Sequence, residues 1–125
     1  MKNKKRMKYM ALCWVLFFSV LQHASAQIKP GKAIIITPGV NCELCKTRIE
    51  NYLRRQYGVT SVKVDVKKKT VLVTWYPDRT NIEEVKAAIA TVGYDADDVT
   101  KEETAYKKLP PSCKIPVTIK DSTNN

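Results

Sequence analysis

The chain has 125 residues, 22 of them Lys or Arg and 12 Asp or Glu, which gives a formal net charge of +10 with its single histidine neutral. This length holds one small domain with a modest core. The basic residues are interspersed with acidic ones, and no aromatic platform accompanies the lysine triplet at residues 67–69, which argues against a nucleic-acid-binding protein.

A basic and then apolar stretch opens the chain. Five Lys or Arg residues between positions 2 and 8 precede the apolar run at residues 9–21, and the Ala-Ser-Ala sequence at 24–26 offers a cleavage signal before Gln27. The run is short for a membrane-spanning helix, and its small-residue end is the wrong flank for one. We therefore expect residues 1–26 to be a cleaved signal peptide and the mature protein to be periplasmic.

Removing this leader changes the chemistry that the chain can carry. Five of the 22 basic residues leave, so 17 remain against 12 acidic residues, and the net charge falls to +5. Every methionine, the only histidine and Cys13 leave as well, so Cys42, Cys45 and Cys113 remain. Histidine-based catalysis is thereby excluded. The odd cysteine count argues against a disulfide-stapled scaffold and leaves a free thiol, an intermolecular bridge or a metal site.

The first strand and helix follow a short polar leader. The apolar run at residues 33–37, bounded by turn formers, predicts a buried strand. Residues 43–57 place apolar side chains on one helical stripe, and Gly58 is a natural residue to end that helix. The stripe consists of Cys45, Ile49, Tyr52 and Leu53.

The rest of the domain continues with a hairpin, a helix and a strand. Residues 59–66 and 70–76 both alternate apolar and polar side chains, which predicts an antiparallel hairpin. A capping box at residues 80–83 predicts the start of a second helix, which Gly93 ends. Residues 94–99 predict a last, acidic edge strand.

This order predicts an α+β protein. Strand, helix, strand, strand, helix and strand within residues 33–99 indicate a ferredoxin-like βαββαβ two-layer sandwich, with both helices on one side of a four-stranded antiparallel sheet. Residues 100–125 are polar and contain Pro110, Pro111 and Pro116, and only residues 114–119 resemble a strand. We expect this C-terminal extension to wrap the domain or to be partly disordered.

Two cysteines lie between the first strand and the first helix. Cys42 falls in the loop and Cys45 in the first helical turn, where free N–H groups and partial positive charge favour the thiolate that binds metal. The alternatives are a redox-active Cys-x-x-Cys pair, as in thioredoxin-like proteins, and a plain structural disulfide. The longer parallel-strand pattern of thioredoxin-like proteins is missing around this pair.

The residues around the pair resemble a known family. The sequence Gly-Val-Asn-Cys-Glu-Leu-Cys at 39–45, with a strand before it, a helix after it and Gly93-Tyr94 further on, is similar to the heavy-metal-associated domain over residues 33–99. That family includes copper chaperones, N-terminal modules of metal-pumping P-type ATPases and periplasmic mercury-binding proteins.

The resemblance implies roles for six residues. Cys42 and Cys45 would bind one ion together, while Gly39, Val40, Asn41 and Tyr94 would support and shield the metal loop. The family usually has methionine where this chain has Val40, and we expect the valine to keep the inward packing role.

The ligand set limits the metal. Two thiolates without another soft donor suit Cu(I) or Hg(II), whereas Zn(II) and Cd(II) suit the pair less well, because structural zinc sites take four protein ligands. Cys113 is a candidate third ligand. The 13 residues between Val99 and Cys113 could span roughly 40 Å at about 3.3 Å each, so reach allows ligation. We nevertheless expect Cys113 to be a tail thiol, because nothing around Pro110 and Pro111 gives the tail an evident reason to fold back.

These observations favour an exported metallochaperone or scavenger and not an enzyme. It would capture a soft metal ion and pass it to a membrane transporter, either a P-type ATPase or a mercury-type importer, by transient docking. We expect a monomer, with a metal- or disulfide-bridged dimer as the alternative. Two other functions stay open, namely a thiol–disulfide redox protein that uses Cys42 and Cys45, with Cys113 as an optional resolving thiol, and a metal-free interaction module of the same fold.

Overall fold

The computed structural model describes residues 3–19 and 26–114. Its elements are α1 (Asn3–Ser19), β1 (Gly31–Ile36), α2 (Glu43–Leu53), β2 (Val59–Asp65), β3 (Thr70–Trp75), α3 (Ile82–Thr91), α4 (Glu103–Lys107) and a 3₁₀ turn at Pro111–Cys113. Helix α1 lies inside the predicted leader, and its described side chains are exposed. Among the described residues, no helix has both the length and the apolar character that a membrane crossing requires.

Three antiparallel strands form one sheet in the order β1-β3-β2. β1 pairs with β3 from Gly31 opposite Trp75 to Ile36 opposite Thr70. β2 pairs with β3 along its whole length, with one register shift between Val59 and Ser61. The hairpin that the alternating pattern predicts is therefore confirmed.

The core lies between this sheet and helices α2 and α3. The hairpin turns its alternate valines inward, as the period of two predicts, and each helix adds its apolar stripe. Burying an aliphatic side chain of this size contributes about 1.5–3 kcal/mol, so this face dominates the stability of the domain. The core includes Ile35, Ile49, Leu53, Val62, Val64, Val71, Val73, Val85 and Ile89.

Both helices differ from prediction at one end. α2 stops at Leu53, and Gly58 instead lies in the turn into β2 with φ of 85°, where an added Cβ would be 2.7 Å from Cβ of Arg79. The N-cap of α3 is Asn81, one residue later than the capping box predicts, because its side chain accepts the Glu84 N–H at 3.0 Å. Gly93 follows the last turn of α3 with φ of 98°, as predicted.

The predicted fourth strand is a turn in the structure. Residues 94–99 contain only an isolated bridge between Ala96 and Val99, and Asp97 has a left-handed φ of 51°. This conformation lets Asp97 alone pair with β1. Its N–H donates to the Ile36 carbonyl at 2.8 Å, and its Oδ1 accepts the Ile36 N–H at 2.7 Å. The described sheet therefore has three strands, and the two hydrogen bonds of Asp97 with Ile36 replace the pairing that a fourth strand would make with β1.

The chain after Val99 folds back over the domain, and we call residues 100–114 the C-terminal strap. The Glu102 N–H donates to the Ala90 carbonyl at 2.9 Å, and an added Cβ at Gly93 would lie 3.0 Å from the Tyr106 nitrogen, so the strap is in close contact with the end of α3. Leu109 and Cys113 are buried in the core cluster. Of the predicted strand-like segment at 114–119, all but residue 114 lies outside the described residues.

Candidate metal centre

Cys42 is the N-cap residue of α2. Its backbone is extended, with φ of −155° and ψ of 165°, and its Sγ accepts the Cys45 N–H at 3.4 Å. A sulfur thus takes the place of the oxygen that usually caps a helix. The partial positive charge of the helix N-terminus therefore lies beside this sulfur.

Three thiols meet at this point. The Sγ atoms of Cys42 and Cys45 are 2.8 Å apart, those of Cys42 and Cys113 are 3.8 Å apart, and all three sulfurs lie within 4.8 Å of one another. All are free thiols, with Cys42 half-buried and the other two buried. The expectation that Cys113 is a tail thiol is therefore wrong, because the C-terminal strap wraps the domain and brings Cys113 to the pair.

Two members of the predicted metal loop anchor it. Val40 is fully buried in the core cluster, which is the inward packing expected of it. Asn41 makes two side-chain bonds: its Oδ1 accepts from the Cys45 thiol at 3.1 Å, and its Nδ2 donates to the Lys114 carbonyl at 3.3 Å. The amide of Asn41 therefore connects the metal loop to the C-terminal strap.

Tyr94 lies beside the thiols, and Gly39 makes room for it. The ring is 1% exposed, and an added Cβ at Gly39 would come within 3.3 Å of Cδ1 of Tyr94. Within the described residues the Tyr94 hydroxyl has no hydrogen-bond partner. Burial, followed by the proximity of the Cys45 and Cys113 thiols, raises the pKa of Tyr94 far above its ordinary value. The phenol thus stays a proton donor next to the sulfurs.

The thiols differ in how readily they ionise. Burial acts to raise the pKa of Cys45, but the hydrogen bond with Cys42, then the Asn41 backbone, then the proximity of the Cys113 thiol and the Tyr94 hydroxyl outweigh it and leave that pKa below its usual value. Burial, followed by the Cys45 thiol, raises the pKa of Cys113 to about 11. Cys45 therefore ionises more readily than Cys113, and Cys113 holds its proton unless a metal ion displaces it.

The donor set matches a soft ion of low coordination number. Three sulfurs that each lie about 2.3 Å from one ion in a plane are about 4 Å apart, and the Cys42–Cys113 separation of 3.8 Å is close to that value. The sulfurs of Cys42 and Cys45, which are 2.8 Å apart, would have to move apart to bind the ion in this geometry. In the described part of the chain, these three cysteines form the one group of Cys, His, Asp or Glu side chains placed to share an ion, which leaves zinc a ligand short of four.

The sequence contained one signal for the strap that the prediction did not use. Tyr106, Leu109 and Cys113 stand three and four residues apart, the spacing of an apolar face on a helical segment. In the structure Leu109 and Cys113 are buried and Tyr106 packs against the core. The linking role of Asn41 depends on a contact 73 residues away, which no local pattern indicates.

Known proteins share this fold. The heavy-metal-associated domain matches residues 34–95. A copper-exporting P-type ATPase from Staphylococcus haemolyticus (strain JCSC1435) is 30% identical over 87 residues, which are 70% of this chain and 11% of the ATPase. The chain thus spans 11–12% of the length of such curated relatives.

Solved structures extend the similarity. The CopZ metallochaperone is 30% identical, with a TM-score of 0.51 over 53% of this chain and 98% of its own. Oxidized MerP from Ralstonia metallidurans CH34 is 22% identical, with a TM-score of 0.53 over 55% of this chain and 96% of its own, a likeness that concerns the fold alone. The predicted α+β architecture is thereby confirmed, and the chain belongs to the heavy-metal-associated domain family.

Proposed function

We propose that this protein is an exported carrier that binds a soft metal ion through Cys42 and Cys45 and passes it to a membrane transporter. The observation that carries the proposal is the cluster of three free thiols within 4.8 Å of one another at the N-terminus of α2. Thiolates bind soft ions, and the hydrogen bond with Cys42 helps to hold the pKa of Cys45 below its usual value. The leader-like pattern of residues 1–26 supports export.

The proposed cargo is Cu(I) or Hg(II). Both ions accept two or three thiolates, whereas zinc in a structural site takes four ligands. The relation to a copper-exporting ATPase supports copper as the first ion to test. The function is binding and transfer, and no group in the cluster is assigned a catalytic role.

Handover is proposed to begin at Cys42. This thiol is half-buried, whereas Cys45 and Cys113 are buried, so an incoming thiolate reaches the ion from the Cys42 side. Leu44 beside it is exposed and gives a partner an apolar contact at the rim. A P-type ATPase that carries the same domain is the kind of transporter that supplies such a thiolate.

The test is a Cu(I) competition titration of the reduced full chain. We expect Cys42→Ser and Cys45→Ser each to lose most of the affinity, because each removes one of the two ligands that the proposal requires. In the uncleaved chain Cys13→Ser, which removes an exposed thiol outside the three-thiol cluster, is the matched control and should bind like the unchanged chain. Either site variant binding with full affinity would exclude the carrier function proposed here.

A disulfide-reduction assay on the same samples addresses the redox alternative. The 2.8 Å between the Cys42 and Cys45 sulfurs shows that the two thiols are close enough to react with each other. We expect Cu(I) binding without turnover of a disulfide substrate. Turnover by the unchanged chain that is lost in both site variants, together with no Cu(I) binding, would replace the carrier by a thiol–disulfide protein.

A further inference from the structure

We propose that the C-terminal strap makes Cys113 a third metal ligand, so that one chain holds its ion with three thiolates and Cys113 is the first of its three sulfurs to dissociate when the ion is transferred. This inference rests on the proposed carrier function and adds to it a ligand outside the Cys-x-x-Cys motif. Its first support is the position of Cys113, which is 1% exposed with its sulfur 3.8 Å from that of Cys42.

The strap is anchored on both sides of Cys113. Leu109 is 4% exposed in the core cluster, and Tyr106 packs against that cluster. On the far side, the Lys114 carbonyl accepts from Asn41 at 3.3 Å, and the Lys114 ammonium donates to the Lys107 carbonyl at 2.8 Å. These contacts fix the backbone around the third thiol before any ion is present.

The 3₁₀ turn gives Cys113 its local geometry. Pro111 begins the turn, and the Cys113 N–H donates to the Pro110 carbonyl at 2.9 Å. The prolines thus stiffen the backbone that presents the thiol, because their φ angles are fixed in advance. A preorganised ligand loses less conformational entropy when it binds.

The unpartnered hydroxyl of Tyr94 is a second, independent indication of a ligand at this point. Buried hydroxyl groups are nearly always hydrogen-bonded, and the Tyr94 hydroxyl has no partner within the described residues, although Cys45 and Cys113 are its neighbours. A thiolate bound to a metal ion is an acceptor, whereas a thiol is a weak one. When Cys45 and Cys113 bind an ion as thiolates, their sulfurs would therefore become the hydrogen-bond acceptors that the Tyr94 hydroxyl lacks.

Three ligands also give the transfer a route. Cys113 lies on a segment separate from the metal loop, so it can dissociate while Cys42 and Cys45 keep the ion. An incoming thiol that reaches the ion from the Cys42 side can then replace the sulfur of Cys113 as third ligand, and the ion keeps three sulfurs. In each such exchange one metal–sulfur bond forms and one breaks, and the departing Cys113 sulfur takes up the proton that the incoming thiol loses, without any change in oxidation state.

X-ray absorption of the Cu(I)-loaded, reduced full chain measures the number of sulfur ligands directly. We expect three sulfurs at one ion per monomer, and two sulfurs with a shorter metal–sulfur distance in Cys113→Ser. The Kd for Cu(I) should rise in Cys113→Ser by roughly ten- to a hundredfold or more. Losing a group that only supports a metal ligand already costs that much, and Cys113 is proposed as a direct ligand. The neighbouring Ser112→Ala is the matched control and should keep three sulfurs.

A measurement on the metal-free chain tests the strap without an ion. The Cys113 thiol should react with an alkylating reagent more slowly than Cys42, and Leu109→Ala should speed up alkylation of Cys113 by removing the apolar anchor. Two sulfurs and unchanged affinity in Cys113→Ser, with binding still lost in Cys42→Ser and Cys45→Ser, would overturn the strap proposal and leave the carrier intact. A dimeric Cys113→Ser variant that still has three sulfurs at its ion would overturn the strap proposal as well, because the third sulfur would then come from a second chain. Full binding in all three variants would instead exclude the carrier itself.

Discussion

Single residues determine how closely the metal loop approaches Tyr94. A Cβ at position 39 would lie 3.3 Å from the Tyr94 ring, so the glycine leaves room for the ring beside the loop. In this position the phenol lies next to Cys45 and Cys113. The resemblance to the heavy-metal-associated domain implied a shielding role for Tyr94. It did not indicate that the hydroxyl would be buried without a partner, because that depends on the position of the C-terminal strap.

Tyr94→Phe should separate the stability of the protein from its metal affinity. An unsatisfied buried polar group costs about 1–3 kcal/mol, so removing the hydroxyl should leave the free energy of unfolding of the metal-free chain unchanged or raise it. The loss of a hydrogen bond to a charged group, worth about 1.5–3 kcal/mol, should weaken Cu(I) binding by roughly ten- to a hundredfold. Urea unfolding and Cu(I) competition measure the two effects.

The control for this substitution is Tyr57→Phe. Tyr57 is 74% exposed, so the loss of its hydroxyl should change neither quantity. If Tyr94→Phe destabilised the metal-free chain by several kcal/mol with no change in affinity, the hydroxyl would have a partner without the ion, and its assigned role at the metal centre would be wrong.

At the scale of elements, α2 connects the metal loop to the sheet. Cys42 and Cys45 occupy its first turn, and two turns later Glu50 reaches the edge strand β2. Glu50 Oε1 accepts the Val64 N–H at 2.9 Å, and Oε2 pairs with Arg54 at 3.1 Å, while its side chain is 13% exposed. Glu50 lies outside the apolar stripe that the helical pattern predicts. Its tertiary hydrogen bond could not be read from spacing alone.

Glu50→Ala should destabilise the domain by about 1–3 kcal/mol, because it leaves the Val64 N–H of an edge strand without its acceptor. Glu50→Gln keeps an acceptor oxygen and should lose less. Arg54→Ala removes only the partly exposed ion pair, which is worth about 1 kcal/mol or less. Thermal unfolding of the three variants gives this ranking. A larger loss in Arg54→Ala than in Glu50→Ala would show that the ion pair matters more than the backbone contact.

The elements also show which features a sequence predicts well. The apolar stripe of α2 and the alternating valines of the hairpin are periodic over several turns or pairs, and the structure confirms both. Features set by one residue or one distant contact were missed. Asp97 replaces a strand by a left-handed turn, and Leu109 draws the C-terminal strap onto the core. The turn at Asp97 has no period, and the helical spacing of Tyr106, Leu109 and Cys113 covers only a short segment, so pattern analysis gives both little weight.

For the whole molecule, the core and the metal centre are largely separate. The apolar face between the sheet and helices α2 and α3 is complete without an ion, and hydrogen bonds hold the strap near its position in the metal-free chain. A zinc finger differs, because there the ion supplies the free energy of folding. A bound ion should therefore tighten the contact between metal loop and strap and leave the sheet as it is.

The metal-free, reduced chain should unfold in one cooperative thermal transition. Cu(I) should raise the midpoint temperature, because binding to the folded chain adds about 2.7 kcal/mol to the free energy of unfolding when free Cu(I) is a hundred times the Kd.

Hydrogen exchange shows which parts of the chain the ion stabilises. The Cys113 amide, which donates to Pro110 at 2.9 Å, should exchange more slowly with Cu(I) than without it. The amide of Val73 in the central strand should be equally protected in both states, because that strand is paired on both sides regardless of the ion. An unfolded metal-free chain, or equal gains in protection across sheet and strap, would mean that the ion organises the whole fold and not the strap alone.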